Sequence, residues 1–306
     1  MISNLVTLKQ LETLIWVADL GSFRKAAQHL NTTQPNISAR IAGLEAVLGV
    51  TLMQRDAGSI RLTEMGAALL LQARQVLRQA EALVDIAARP DLIDDTIRLG
   101  VTEVVASTWL RPFLRAVAET YPAVTVELTI DLSRNLDQDL AANALDIALQ
   151  TAPFASVVSG VLDIATYEYV WVAAPELARQ IGPMPVDAAL AAQPVLGHAR
   201  HTQAHLDLLD HFDGTKAPKA RLVPSSSLSA AMNMVLDGMG IAVMPRVMVA
   251  SALADGSLVT LDAAWHPRPL HVVARYHAER STGFVARVAA LAVAIATAAE
   301  DQKNLS

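Results

Sequence analysis

Residues 5–66 read LVTLKQLETLIWVADLGSFRKAAQHLNTTQPNISARIAGLEAVLGVTLMQRDAGSIRLTEMG, and the punctuation of this stretch decides the fold. Thr7 is placed to cap a helix whose apolar positions Leu8, Leu11, Leu14, Ile15 and Ala18 recur at helical spacing until Gly21 stops it. Ser22 caps a second helix, Phe23 to Leu30, and the short turn at Asn31 and Thr32 forces a third helix across it. Thr33 is the expected cap of that third helix. Pro35 lies in its first turn, where a missing N–H costs nothing, and Gly49 is placed to end it in the left-handed conformation.

At the helical period, Ile37, Ile41, Leu44 and Leu48 form one stripe of the third helix, with Pro35, Ala39, Ala42 and Gly43 opposite. A small, uncharged outer face fits a DNA major groove. Gln34, Asn36 and Ser38 could then read base edges, with Arg40 at the margin able to reach a base or phosphate. An ordinary surface helix would carry the same pattern. The runs Val50 to Arg55 and Ser59 to Leu62 around Asp56, Ala57 and Gly58 predict a hairpin with Arg55 and Arg61 at its flanks, as a wing beside a recognition helix would have.

The segments GSFRKAAQHL, TQPNISARIAGLE, LGVTLMQR and RLTEMG, in this order and spacing, resemble the DNA-binding region of LysR-type transcription regulators. The resemblance implies a winged helix-turn-helix over residues 1–62. Ser22 to Leu30 would be the positioning helix, Thr33 to Leu48 the recognition helix and Val50 to Leu62 the wing. DNA contacts would come from Ser22, Thr33, Gln34, Pro35, Asn36, Ser38, Arg40, Arg55 and Arg61. Many relatives carry Arg where this chain has Ala39, and an aromatic where it has Met53.

From Leu62 to Ala87, Leu62, Gly66, Leu69, Ala73, Val76, Ala80, Leu83 and Ala87 alternate at spacings of four and three, a heptad seam. Such a seam either packs on its own domain or pairs with another chain. The resemblance implies the second: residues 63–89 as a linker helix that makes a homodimer, two dimers forming a tetramer, on double-stranded operator DNA with an approximate palindrome.

Arg89 to Asp95 reads as a linker, after which predicted strands and helices alternate in the rhythm of a parallel sheet with helical crossovers. Predicted strands are Thr96 to Val101, Val124 to Asp131, Ile147 to Gln150, Tyr167 to Ala173, Arg221 to Pro224, Ile241 to Met244 and Leu270 to Tyr276. Predicted helices include Ser107 to Thr120, Leu136 to Ala142 and Leu228 to Asp237. Residues 90–306 resemble the LysR-type effector domain, an α/β unit of the periplasmic-binding-protein type, with SSSLSAAMNMVLDGMGIAVMP (225–245) as the best local match. One lobe would take about 90–164 and 268–300, the other 165–267.

Ligands in open α/β sheets sit at strand carboxyl ends, where helix amino termini offer free N–H groups. Polar residues at those ends are Thr102 and Glu103, Ser133 and Asn135, Gln150 and Thr151, and the run Ser225, Ser226 and Ser227; of these Thr102, Ser133, Gln150 and the three serines, with His201 and Thr202, are the expected effector contacts. Ser and Thr are also simply good helix caps. The expected effector is a small, polar, anionic metabolite, and Glu103 must point away from it to avoid repulsion. His198, His201 and His205 could share a helical face, but without HExxH, cysteine or clustered acids they read as solvent-exposed side chains or effector contacts, not as metal ligands.

The 306-residue chain has no cysteine, which excludes disulfides, thiolate zinc sites and cysteine nucleophiles. No cofactor is expected. Its net charge of −6 divides unevenly: residues 1–62 carry six basic and four acidic groups, a net +2, leaving −8 for the rest. There is no uninterrupted apolar run and no signal-peptide pattern at the start, so a cytoplasmic location is expected, away from membranes. An enzyme would need a site other than a Gly-rich phosphate loop, GxSxG or a metal motif, all of which are missing. A transport solute-binding protein would share the second half of the chain but not the helix-turn-helix.

Overall fold

The computed structural model describes residues 5–56, 59–87, 93–182, 188, 192–213, 219–278 and 283–304. Helix α1 (Leu8–Leu20) starts in a capping box: Thr7 Oγ1 accepts from the Gln10 N–H, and the Gln10 side chain accepts from the Thr7 N–H. After the turn at Asn31, α2 (Phe23–His29) leads to α3 (Gln34–Leu48). Gly49 ends α3 at φ 68°, a left-handed position that favours glycine. Ile37, Ile41 and Leu44 are buried with Leu14, Val17 and Phe23. Leu48 departs from the expected stripe and is exposed.

The wing is the antiparallel pair β1 (Met53–Asp56) and β2 (Ser59–Leu62), so its first strand begins three residues later than expected. The Glu45 carboxylate accounts for this. It accepts from the Leu52 N–H at 2.7 Å and the Met53 N–H at 3.3 Å, tying the loop back to α3.

Helix α4 (Glu64–Ile86) is capped by Thr63, whose hydroxyl accepts the Gly66 N–H at 2.9 Å. A Cβ at position 66 would come within 2.0 Å of the Leu52 carbonyl oxygen, so only glycine lets α4 pass the wing here. The predicted seam divides in two. Gly66, Leu69 and Ala73 face the chain's own helical domain, with Ala73 buried in its core, whereas Val76 and Leu83 are exposed. Arg74 on α4 pairs with Asp19 of α1 at 2.5 Å. The predicted linker Arg89 to Asp95 lies largely outside the described residues.

Two five-stranded sheets follow, each forming one lobe. Lobe one contains β3 (Thr96–Val101), β4 (Thr125–Ile130), β5 (Ile147–Thr151), β6 (Gly160–Tyr167) and β12 (Leu270–Tyr276), in the order β4-β3-β5-β12-β6. Lobe two contains β7 (Tyr169–Ala173), β8 (Pro194–Gly197), β9 (Arg221–Pro224), β10 (Ile241–Pro245) and β11 (Val259–Leu261), in the order β11-β7-β10-β8-β9. The strands β3, β4 and β5 pair in parallel, as their alternation with helices predicts, and so do β8, β9 and β10; antiparallel pairing of β7 with β10 and β11, and of β12 with β5 and β6, makes both sheets mixed. The chain crosses between lobes at Glu168 and returns after Leu261, so β12 runs antiparallel to β5 and β6. The predicted strand Tyr167 to Ala173 is therefore split by the first crossing, and 165–167 belong to lobe one.

The expected helix Ser107 to Thr120 is broken at Trp109 into α5 (Glu103–Thr108) and α6 (Leu110–Thr120). Lobe one continues with α7 (Ser133–Ala141). Lobe two carries α8 (Pro175–Ile181), α9 (Gln203–His211), α10 (Leu228–Leu236) and α11 (Arg246–Ala254), and α12 (Gly283–Asn304) closes the chain on lobe one. Each lobe has an aromatic anchor with its polar end satisfied. Trp109 donates to the Tyr167 hydroxyl at 3.0 Å, and Trp171 to the Trp265 carbonyl at 2.9 Å.

Behind the cleft of lobe one lies a buried ion pair, Asp137 with Arg275. Asp137 also accepts from the Ala155 N–H, the Ser156 N–H and the Ser156 hydroxyl, at 2.6–2.9 Å. Burial pushes this carboxyl up, but those hydrogen bonds and Arg275 outweigh it and hold it at about 2.

The helical domain rests on lobe one. Asn143 donates to the Asp19 carbonyl at 3.1 Å, and the Arg98 guanidinium lies 5.7 Å from the centre of the Trp16 ring. Arg98 is held by Asp146 at 2.5 Å and by the Asn143 carbonyl at 2.7 Å. His29, against Trp16, is pushed down to about 4 by burial and then by Arg98.

Candidate functional site

Two sites emerge. The first is the open end of α3. Burial of Ile37, Ile41 and Leu44 turns Gln34, Pro35 and Asn36 outward to solvent, with Ser38 half-buried beside them. Thr33 stands at the N-cap with extended backbone, yet its side chain makes no capping bond, unlike the expected cap. Its hydroxyl and the first-turn N–H groups thus face outward at a helix end that favours anions. Ser22, by contrast, is committed to capping α2, accepting from the Lys25 N–H at 3.3 Å.

Arg40 does not stand free at the margin. Its guanidinium turns inward and donates to Thr13 Oγ1 at 3.4 Å, near Glu12 on α1. Arg61 is exposed on β2, and Arg55 lies on β1 with its side chain outside the described residues. Arg24 and Lys25, at the exposed start of α2, are cations that residue-pattern reading did not select.

The second site is a cavity of about 460 Å³ between the lobes. Of the expected contacts, Thr102, Ser133, Thr202, Ser225, Ser226 and Ser227 line it. Gln150 does not: it is fully buried beneath the cleft, its amide nitrogen 3.0 Å from the Ser133 carbonyl and its oxygen 2.9 Å from Arg275 Nη1. His201, two positions before α9, is exposed and outside the cavity lining. His198 and His205 are buried, contrary to the solvent exposure expected for this cluster. His198 lines the cleft and donates from Nε2 to the Val243 carbonyl at 2.8 Å; burial pushes it down to about 4, so it is neutral near pH 7. No group of three or more His, Cys, Asp or Glu that could hold a metal ion occurs among the described residues.

The cleft's polar groups differ in how far they are already satisfied. Ser133 and Thr151 bond each other at 2.9 Å, and Thr202 caps α9 through the His205 N–H. Thr102 is part of the cleft lining, and its buried Oγ1 has no hydrogen-bond partner. Buried hydroxyls rarely stay unpaired, so this atom suits a ligand. The N-terminus of α7 has no side-chain cap. Glu103 lies in the cleft instead of pointing away from it: it accepts from Ser227 Oγ at 2.9 Å, the Leu228 N–H at 2.5 Å and the Ser229 N–H at 3.1 Å. Asn135 and Thr151, expected at strand ends, line the cavity too, as do Asp131 and Gln203, which residue-pattern reading did not select.

Residues 8–67 match the family described as bacterial regulatory helix-turn-helix protein, lysR family, and residues 91–294 match the LysR substrate binding domain. The chain belongs to the LysR-type family of transcription regulators. A probable hydrogen peroxide-inducible genes activator of Mycobacterium avium is 34% identical, over 86% of this chain and 85% of that protein. The regulator CfxR of Cupriavidus necator is 28% identical, over 86% of this chain and 83% of that protein. Among solved structures, ArgP from Mycobacterium tuberculosis aligns with TM-score 0.61 and 25% identity, covering 94% of this chain and 96% of that one. LysG from Corynebacterium glutamicum, with bound effector Arg, aligns with TM-score 0.59 and 23% identity, covering 95% and 98%. A LysR-type chain of this kind is a DNA-binding regulator with an effector-binding domain, not an enzyme. Among the described residues, no helix is long and apolar enough to cross a membrane.

Proposed function

We propose that this regulator reads an interrupted palindrome of double-stranded DNA in the cytoplasm through α3, as a dimer joined along α4 and paired again into a tetramer. The observation that carries the reading is the exposed first turn of α3, with Gln34 and Asn36 outward and Ser38 half-buried beside them, on a helix whose other face is core. Thr33 and the wing's Arg61 serve phosphates; Arg40 positions α3 against α1. Gln34→Ala and Ser38→Ala should change operator preference, whereas Arg61→Ala should weaken operator and scrambled DNA alike. Affinity should fall with salt as counterions are released. Gel retention at several salt concentrations checks this, and equal retention of operator and scrambled DNA by the wild type would refute it.

The effector is a small polar metabolite held in the interlobe cleft. Its anionic group suits Thr102 Oγ1 and the uncapped start of α7. Among the described residues the cavity lining includes Glu103 and Asp131 but neither Lys nor Arg, which favours one carboxylate balanced by an amino group over a multiply charged anion. With no cysteine in the sequence, the signal is not oxidation of a thiol on this chain. Thr102→Val is expected to weaken effector binding roughly tenfold, the loss of about one hydrogen bond, while leaving effector-free operator binding intact. Calorimetric titration with metabolites of the neighbouring genes is the measurement, and unchanged affinity would exclude Thr102 as a contact.

A further inference from the structure

The N-terminus of α10 looks like the anion site of lobe two, yet each of its first-turn N–H groups is already engaged. The Leu228 and Ser229 N–H groups donate to the Glu103 carboxylate, the Ala230 N–H to Ser227 Oγ, and the Ala231 N–H to the Ser227 carbonyl. Ser227 Oγ also donates to Glu103. Ser225 is turned inward as well, its hydroxyl donating to the Ser227 carbonyl and accepting the Ser227 N–H.

Glu103 belongs to the other lobe: it is the first residue of α5, two positions after the end of β3. Burial pushes its carboxyl up, but the Leu228, Ser229 and Ser227 donors outweigh that and hold it below the usual carboxylate range. The ionised side chain therefore occupies the helix terminus with a charge of the sign the terminus favours. Around it the lobes touch through apolar groups only partly buried, Leu228, Val247 and Met248 against the lobe-one core.

We propose that Glu103 is a built-in carboxylate ligand of lobe two, which latches the lobes together without effector and excludes an effector's carboxylate from the α10 terminus. The part concerning exclusion rests on reading the cleft as the effector site; the latch does not. An effector acid is thereby left to lobe one, where Thr102 Oγ1 is unpaired. An effector that reached α10 would have to displace Glu103 and so release the latch.

The test uses the full chain without effector. Hydrogen exchange is followed over the peptide spanning 225–236 in wild type, Glu103→Ala and Glu103→Gln, in sodium chloride and in sodium acetate at matched ionic strength. In Glu103→Ala the α10 amides should exchange roughly ten- to a hundredfold faster, the loss of charge-assisted hydrogen bonds. Acetate, which resupplies the missing carboxylate, should restore protection where chloride does not. Glu103→Gln, of the same shape without the charge, should lose protection and respond less to acetate. Wild-type exchange should be indifferent to the choice of salt.

Unchanged protection in Glu103→Ala, or equal recovery in both salts, would overturn the proposal. Should the alanine variant not fold, wild-type protection in Glu103→Gln overturns it and faster exchange there supports it. Failure here leaves the Thr102→Val titration untouched, so the latch and the effector reading fall separately.

Discussion

Replacing Asp137 by alanine is expected to cost about 3–5 kcal/mol of stability, because it leaves the Arg275 guanidinium buried without its counter-charge. Both side chains are only 4% exposed. Arg275 would retain the Ser156 carbonyl at 2.7 Å and the Phe154 ring at 4.2 Å, neither of which neutralises it. Because Gln150 links Arg275 to the Ser133 carbonyl, the damage should extend to the cleft wall. Chemical denaturation with two probes, one in each lobe, is the measurement. A loss below about 1 kcal/mol would show that solvent reaches the pair.

The same pair carries a pH dependence whose sign is fixed. The folded Asp137 carboxyl lies at about 2, below its ordinary 3.8. Its contribution is therefore complete above the ordinary value and is lost as pH falls from there through the folded value. Acid unfolding of the wild type should thus include a component in that window which Asp137→Asn lacks.

Leu83→Lys is expected to split the proposed dimer and to lower operator affinity by roughly 10²–10⁴-fold, the advantage of binding two linked half-sites. Leu83 is 68% exposed on α4, so within one protomer a lysine there displaces nothing. A charge desolvated between chains is a different matter. Val76 and an apolar groove of about 580 Å³ bounded by α1, α3 and α4 continue the same surface, and the exposed Leu48 lies in that groove. Leu69→Lys would be the wrong test, since Leu69 packs on its own domain and would damage the protomer as well. Light scattering should show mass falling toward the 32.6 kDa of one chain. Unchanged mass with intact binding would place the interface elsewhere.

The helical domain was legible because its signals are local. Thr7, Gly21, Ser22 and Gly49 mark helix ends within a few residues, and the spacing of Ile37, Ile41 and Leu44 sets which side of α3 is core. Leu48 departed from that stripe because the helix ends beneath it. The lobes were harder, since a chain crossing has no local signature: Tyr167 and Tyr169, separated only by Glu168, end up in different sheets. In the cleft, hydroxyls at strand ends could be listed from sequence, but which were spent on the protein itself could not. Gln150 turned to Arg275, Thr202 to its cap and Arg40 to Thr13, each drawn by a partner distant in sequence or by a helix start. Glu103 was recognised as a complication for an anion; its partner, more than a hundred residues away, was visible only in three dimensions.

Strand β3 gives these two sites a common frame. Arg98, near its start, meets Trp16 of the helical domain, and Thr102 and Glu103 directly follow its end at the cleft. Six extended residues span only about 20 Å, and β3 is hydrogen-bonded to β4 on one side and β5 on the other. It is thus a backbone-bonded connection between the two sites. Whatever free energy couples the cleft to the proposed DNA-reading helix must be the same measured from either end, so operator DNA should tune effector affinity by the factor with which effector tunes operator affinity.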